Sequence, residues 1–150
     1  MGLETTPTEG EAGMVKKWTL TIDVDAAPDA AWAVVGDMTV VPRFYPKYVS
    51  AEMDGDMRVL TNGEGGKLVE RVFDRDDSGR SYSYSVVEGA PVRSHQASFT
   101  VEESDAGSRI VWTTEAEGTD PAVDMEERLS GSQRDALGRL KALIEDGAVS

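Results

Sequence analysis

The chain has 150 residues and no cysteine, which suits one domain with a real core and excludes disulfide and thiolate chemistry. Its 28 acidic residues against 15 basic give a net charge of −13, with no Lys/Arg cluster, and this argues against a nucleic-acid or anionic-lipid partner. No apolar run approaches the roughly 18 residues needed to span a bilayer, so integral membrane association is not expected.

The acidity itself serves either solubility or a cationic partner protein. The acidic amino terminus lacks the apolar segment of a secretory signal, and together with the absence of cysteine this suggests a cytoplasmic location. Residues 1–13 are polar and aperiodic and are expected to form a disordered tail ahead of a single domain over 14–150. Met1-Gly2 with Thr6 formally matches an N-myristoylation pattern, but acidic neighbours and the lack of a second basic signal argue against anchoring.

The first element is a half-buried strand from Lys16 to Val24, with Trp18, Leu20, Ile22 and Val24 on its apolar face. Asp25 to Asp29 then opens a helix, with Pro28 near its first turn and acids at the positive end of its dipole. Ala31, Trp32, Val34 and Val35 supply the buried side, and Gly36-Asp37 ends it. Val40 to Tyr45 predicts a second short helix closed by Pro46.

Hairpin-linked runs follow. Val49–Met53 pairs with Met57–Leu60, Leu68–Phe73 with Ser81–Val87, and Val92–Val101 with Arg109–Glu117. The turns are marked by Asp54-Gly55, Asn62-Gly63, Asp77-Ser78-Gly79, Gly89-Ala90-Pro91 and Asp105-Ala106-Gly107, where Asn-Gly and Asp-Gly supply the positive φ of tight hairpins. Alternation places Tyr82, Tyr84 and Val86 on one face of their strand. In the next strand Arg93, His95, Ala97, Phe99 and Val101 share a face, and in the last Ile110, Trp112, Thr114 and Ala116 point inward. A long amphipathic helix from Pro121 to about Asp146 completes the chain, with Met125, Leu129, Ala136, Leu137, Leu140, Leu143 and Ile144 as its stripe and Ser132 and Gln133 in a gap of that stripe. Gly131 and Gly138 weaken this helix by about 1 kcal/mol each relative to Ala.

One histidine and scattered carboxylates do not make a metal site, and no P-loop, dinucleotide fingerprint or nucleophile elbow is present. What remains is a polar set on inward faces. His95 shares its face with Phe99, Tyr82 and Tyr84 lie on the neighbouring strand, and either Glu70 or Arg71 must point inward on the strand before. Imidazole, phenol and carboxylate around one apolar hollow could move a proton at neutral pH, or could only orient a ligand. Trp18 and Trp32 are assigned to the core, whereas Tyr84, Phe99 and Trp112 serve as core or as ligand platform.

The run from Ala27 to Met53, with Ala27-Pro28, Trp32, Asp37 and Pro42-Arg43-Phe44-Tyr45-Pro46, resembles the opening signature of the polyketide cyclase/dehydrase group of the START-related, helix-grip superfamily (SRPBCC). The stretches LVERVFDRDDSGRSYSYSVVEGAPV and SRIVWTTEAEG are similar to that group's central strands and its Trp-bearing penultimate element. The resemblance covers about Lys16 to Asp146 and implies an α+β fold. Its order is β-α-α-β6-α, a seven-stranded curved antiparallel sheet gripping a long carboxy-terminal helix around an internal cavity. By resemblance Glu70 matches a cavity-facing carboxylate of plant hormone receptors, Arg71 matches a catalytic Arg proposed for aromatase/cyclases, and Tyr48 matches a cyclase Tyr at the cavity mouth. Glu70 is the preferred of the two. His95 stands where many relatives carry an aromatic, and the fuller Ser and Arg set of the cyclases is not matched.

The expected ligand-contacting residues are Tyr48, Glu70, Tyr82, Tyr84, His95, Phe99 and Trp112, with Met125, Leu129 and Gln133 from the helix. The leading expectation is binding of a small hydrophobic or aromatic molecule without a cofactor. The alternatives are a cyclase/dehydratase-type enzyme using His95, Glu70 and a Tyr for acid–base steps, and a protein-binding chaperone. Neither ligand identity nor oligomeric state is legible.

Overall fold

The computed structural model describes residues 15–149, so the amino-terminal tail and its acylation pattern lie outside the described residues. Strand β1 (Lys16–Val24) leads into helix α1 (Pro28–Val35) and the single turn α2 (Val41–Phe44). Then come β2 (Tyr48–Asp54), β3 (Met57–Asn62), β4 (Lys67–Asp76), β5 (Ser81–Glu88), β6 (Val92–Ser104) and β7 (Gly107–Gly118), followed by the long helix α3 (Met125–Val149). The strands form one seven-stranded sheet in the order β1-β7-β6-β5-β4-β3-β2, antiparallel at every pairing. This is the α+β helix-grip architecture expected from the sequence.

Local chemistry explains the element ends. Pro28 occupies the first turn of α1, where a missing N–H costs nothing, and Asp29 sits at the positive dipole end. Helix α3 begins at Met125, where its apolar stripe starts, four residues after the expected start at Pro121. Asp120 first folds its own loop, accepting the N–H of Ala122, and the Asp124 carboxylate then caps the helix by accepting the N–H groups of Glu126 and Glu127.

The hairpins fall where the turn residues placed them, although the strained φ is not always at the expected glycine. In the β3–β4 turn the left-handed residue is Gly65 (φ +91°), because the Asn62 side chain ties the loop by accepting N–H from Glu64 and Gly66. Two glycines are required by close approach. A Cβ on Gly107 (φ +126°) would lie 2.7 Å from the Ala26 carbonyl, and one on Gly89 (φ +100°) would lie 2.2 Å from the Lys67 carbonyl. The first contact lets the β6–β7 hairpin press against the β1–α1 connection, where the buried Ser108 hydroxyl donates to Ala26 O. The second seats the β5–β6 turn on the start of β4.

Inward faces run in register across the sheet: Leu20 opposite Trp112, Trp112 opposite Phe99, Phe99 opposite Tyr82, and Arg58 opposite Glu70. The core groups Val24, Ile110, Leu140 and Ile144, each at most 1% exposed, under α3. Trp18 and Trp32 are buried in it, and each indole N–H is satisfied, by Gln133 Oε1 and Asp77 Oδ1 respectively. One expected face fails. A bulge between Val92 and Ser94 turns Arg93 outward to pair with Glu117 at 3.6 Å, while Val92 and His95 both face the interior.

Helix α3 packs against β1 and also touches β7, α1 and α2. Lys16 pairs with Asp124 at its start, Trp18 bonds Gln133 midway, and near its end Glu145 accepts the Asp25 N–H while Lys141 reaches Asp23 O. No described helix is long and apolar enough to cross a membrane.

Candidate ligand cavity

Between the sheet and the first half of α3 lies a cavity of about 220 Å³. Its apolar wall comes from Phe44, Leu60, Phe99, Trp112 and Leu129, with Phe99 and Trp112 stacked on each other (centroids 4.6 Å apart). Strand alternation supplies the sheet side, and α3 contributes Met125, Leu129 and Gln133 at helical spacing. The exposed residues Lys47, Lys67, Gly89, Pro91 and Arg128 form the rim.

At the base of the cavity two opposite charges are buried together. Arg58 is 1% exposed and Glu70 5%. The guanidinium donates to Glu70 Oε1 through both Nε (2.9 Å) and Nη2 (2.8 Å), and its Nη1 reaches Met38 O and the Tyr82 hydroxyl, both at 3.3 Å. It also lies over the rings of Tyr82 and Tyr84, at 5.6 and 5.2 Å from their centroids. Burial works against the Arg58 cation, but Tyr82, Glu70 and Tyr84 outweigh it and hold its pKa above the ordinary value. Burial likewise pushes the Glu70 carboxyl up, with Arg58 opposing. A guanidinium that never loses its proton makes the carboxylate the balancing state. Both carboxylate contacts from Arg58 fall on Oε1, and the Glu70 side chain borders the cavity.

The other polar groups remain neutral near pH 7. Burial lowers the His95 pKa to about 4, and Nδ1 accepts the Val86 N–H at 3.1 Å, which leaves the ring proton on Nε2. Burial, then the nearby Glu70 charge, raises the Tyr48 and Tyr84 phenols. Burial also raises Tyr45, against the hydrogen bond it shares with Ser132. Tyr84 accepts the Trp112 indole N–H at 3.0 Å. Gln133 accepts from Trp18 and donates one N–H to Thr114 Oγ1. The cavity therefore presents hydrogen-bond donors beside a carboxylate held by Arg58. Among the described residues no cluster of three or more His, Asp or Glu side chains converges as metal ligands would.

The structure brings Tyr48, Glu70, Tyr84, His95, Phe99 and Trp112 to this cavity together with Met125, Leu129 and Gln133. Glu70 faces it, whereas Arg71 is exposed beside Asp56. Tyr82 does not line it: one pair further along β5, its ring packs behind the wall against Trp32, Phe99 and Arg58. Sequence reasoning missed Arg58 and Tyr45. Arg58 shares its parity with buried Leu60 on β3, but Met57 and Val59 make the opposite face equally apolar and concealed the signal.

Comparison with known proteins agrees with this geometry. The family described as "Polyketide cyclase / dehydrase and lipid transport" matches residues 16–145. Among solved structures, the protein XoxI from Bacillus cereus superposes with a TM-score of 0.73 at 23% identity, covering 85% of this chain and 94% of that one. The di-domain ARO/CYC BexL of the BE-7585A biosynthetic pathway gives 0.72 at 20% identity, over 85% of this chain and 45% of BexL. Norcoclaurine synthase from Thalictrum flavum, in complex with dopamine and hydroxybenzaldehyde, gives 0.69 at 18% identity over 95% and 93% of the two chains. Compared by sequence alone, no curated protein matches. With a matching family profile over nearly its whole described length and a seven-stranded sheet gripping a terminal helix, the chain belongs to the polyketide cyclase/dehydrase and lipid transport family of the START-related, helix-grip superfamily.

Proposed function

We propose that this protein binds a small aromatic or hydrophobic molecule, one or two rings in size, in the cavity between sheet and helix. The observation that carries this reading is an apolar hollow of about 220 Å³ with a few placed polar groups at its base. An apolar cavity of about 150 Å³ is enough to admit a benzene, which sets the scale. The Phe99–Trp112 pair offers an aromatic wall, while the Glu70 carboxylate accepts and Tyr48 and His95 Nε2 donate to polar substituents. A structural relative of the same fold holds two single-ring compounds, dopamine and hydroxybenzaldehyde, which supports the size class.

Binding is favoured over the acid–base alternative by the state of the two candidate groups. His95, with its pKa near 4 and Nδ1 already occupied, is a poor base at neutral pH, and Glu70 is clamped by Arg58. The chaperone alternative gains no specific support.

The test combines native mass spectrometry of freshly purified protein with calorimetric titration of single-ring phenols. Saturable binding is expected, weakened at least tenfold in Leu129→Trp, where the larger side chain fills the hollow. No binding, or binding unchanged in that variant, would overturn the assignment.

A further inference from the structure

The charge on the cavity mouth has the opposite sign to the molecule. The chain carries −13 overall, yet three cations, Lys47, Lys67 and Arg128, stand on the rim, and among the described residues Glu70 is the single acid lining the cavity. That acid is neutralised by Arg58 at 2.8 Å, so the rim charge is not offset from within. Elsewhere the basic side chains are mostly taken up by acids: Arg75 by Asp77, Arg80 by Asp29, Arg109 by Asp23, Lys141 by Glu145. The rim cations have no ion-pair partner among the described residues. Lys67 touches only the Thr61 hydroxyl, and Lys47 lies 5.6 Å from the Tyr48 ring centroid. They also come from three separate elements: the α2–β2 connection, the start of β4 and the first turn of α3.

From this arrangement we infer that the ligand is an amphipathic anion, an aromatic or short aliphatic carboxylate, whose apolar body enters the cavity while its charge stays at the rim. The inference rests on the binding role proposed above and narrows its ligand class. A cleft bordered by one sign of charge and walled by low-dielectric side chains focuses the field and draws in the opposite charge. Exposed cations also leave the carboxylate partly hydrated, which avoids the desolvation cost of burying it. The interior needs no further cation, because Arg58 is already committed to Glu70.

The experiment titrates the full-length protein calorimetrically with three compounds of matched shape: naphthoate, naphthamide and naphthylmethylammonium. Naphthoate is expected to bind roughly tenfold more tightly than naphthamide at low salt, with the ammonium weakest. The preference should shrink toward unity at about 1 M salt, where the screening length is only about 3 Å. In the combined variant Lys47→Gln, Lys67→Gln, Arg128→Gln the naphthoate-to-naphthamide ratio should fall to near one; all three side chains are exposed, and a melting curve checks the fold. Equal binding of acid and amide by the unaltered protein would overturn this inference while leaving the cavity reading intact. A preference that survives the triple substitution would overturn the assignment to the rim. If none of the three compounds binds, the cavity reading falls and takes this inference with it.

Discussion

The two halves of helix α3 face the same sheet but meet different interiors. Its second half sets Ala136, Leu137, Leu140 and Ile144 into a dry core beside Val24 and Ile110. Its first half lays Met125, Leu129 and Gln133 over open space, across from a buried ion pair and several phenols. One amphipathic pattern therefore does two jobs. Where the sheet supplies aliphatic partners the helix buries its stripe for stability, and where the sheet supplies polar and aromatic groups the same stripe becomes the wall of a container. Polar residues inside a protein are expensive unless satisfied, so their concentration at one end marks the end shaped for something other than stability.

The sharpest way to break this contrast is at the base of the cavity. Arg58→Met leaves the Glu70 carboxylate buried without its partner and is expected to cost about 3–5 kcal/mol in chemical denaturation. Adding Glu70→Leu should return most of that loss, since a buried pair replaced by apolar groups is often close to neutral. A double variant as unstable as the single one would make the pair a structural support.

A smaller effect separates the helix halves directly. Leu140→Ala, at 0% exposure, should cost about 2–5 kcal/mol, because the site cannot collapse around the lost atoms. Leu129→Ala, whose side chain already borders free space, should cost about 1 kcal/mol or less by the same measurement. Equal costs would mean that the two halves are packed alike.

The last way to test the contrast is the pH dependence carried by His95. Its pKa falls to about 4 in the folded chain, below the unfolded value of 6.5, so the unfolded state takes up the proton first as pH drops. The neutral ring is thus compatible with full stability above about pH 6.5, and stability declines as pH falls from there toward about 4. His95→Gln should flatten that part of the profile in a series of denaturation curves, and ligand affinity should stay level between about pH 7 and 8, where neither form of the ring changes.

The fold was legible because period-2 runs and turn residues repeat the same message from Lys16 to Gly118, so that the hairpins and most faces followed. Tyr84, Phe99 and Trp112 could be placed inward by alternation alone. Arg93 could not, since a bulge adds a residue that parity does not foresee. Arg58 was hidden for a different reason: on β3 both faces carry apolar residues, and a charge is assigned outward by default. Its burial depends on Glu70, twelve residues away and directly opposite on β4, a pairing that becomes visible only once the register is known. The state of His95 was likewise unreadable, because its pKa is set by burial and its Nδ1 by the Val86 backbone.

The ties that run from Lys16–Asp124 through Trp18–Gln133 to Asp25–Glu145 make α3 the least yielding side of the container. A guest bulkier than the present hollow must then gain its room opposite, along the seam where the β5–β6 turn meets β4. At Gly89 that seam has no space for even a methyl group, so widening it requires the two strands to part rather than a side chain to swing aside. Short of trimming a lining side chain, room for a larger guest is therefore gained by moving backbone at this turn rather than by shifting the helix.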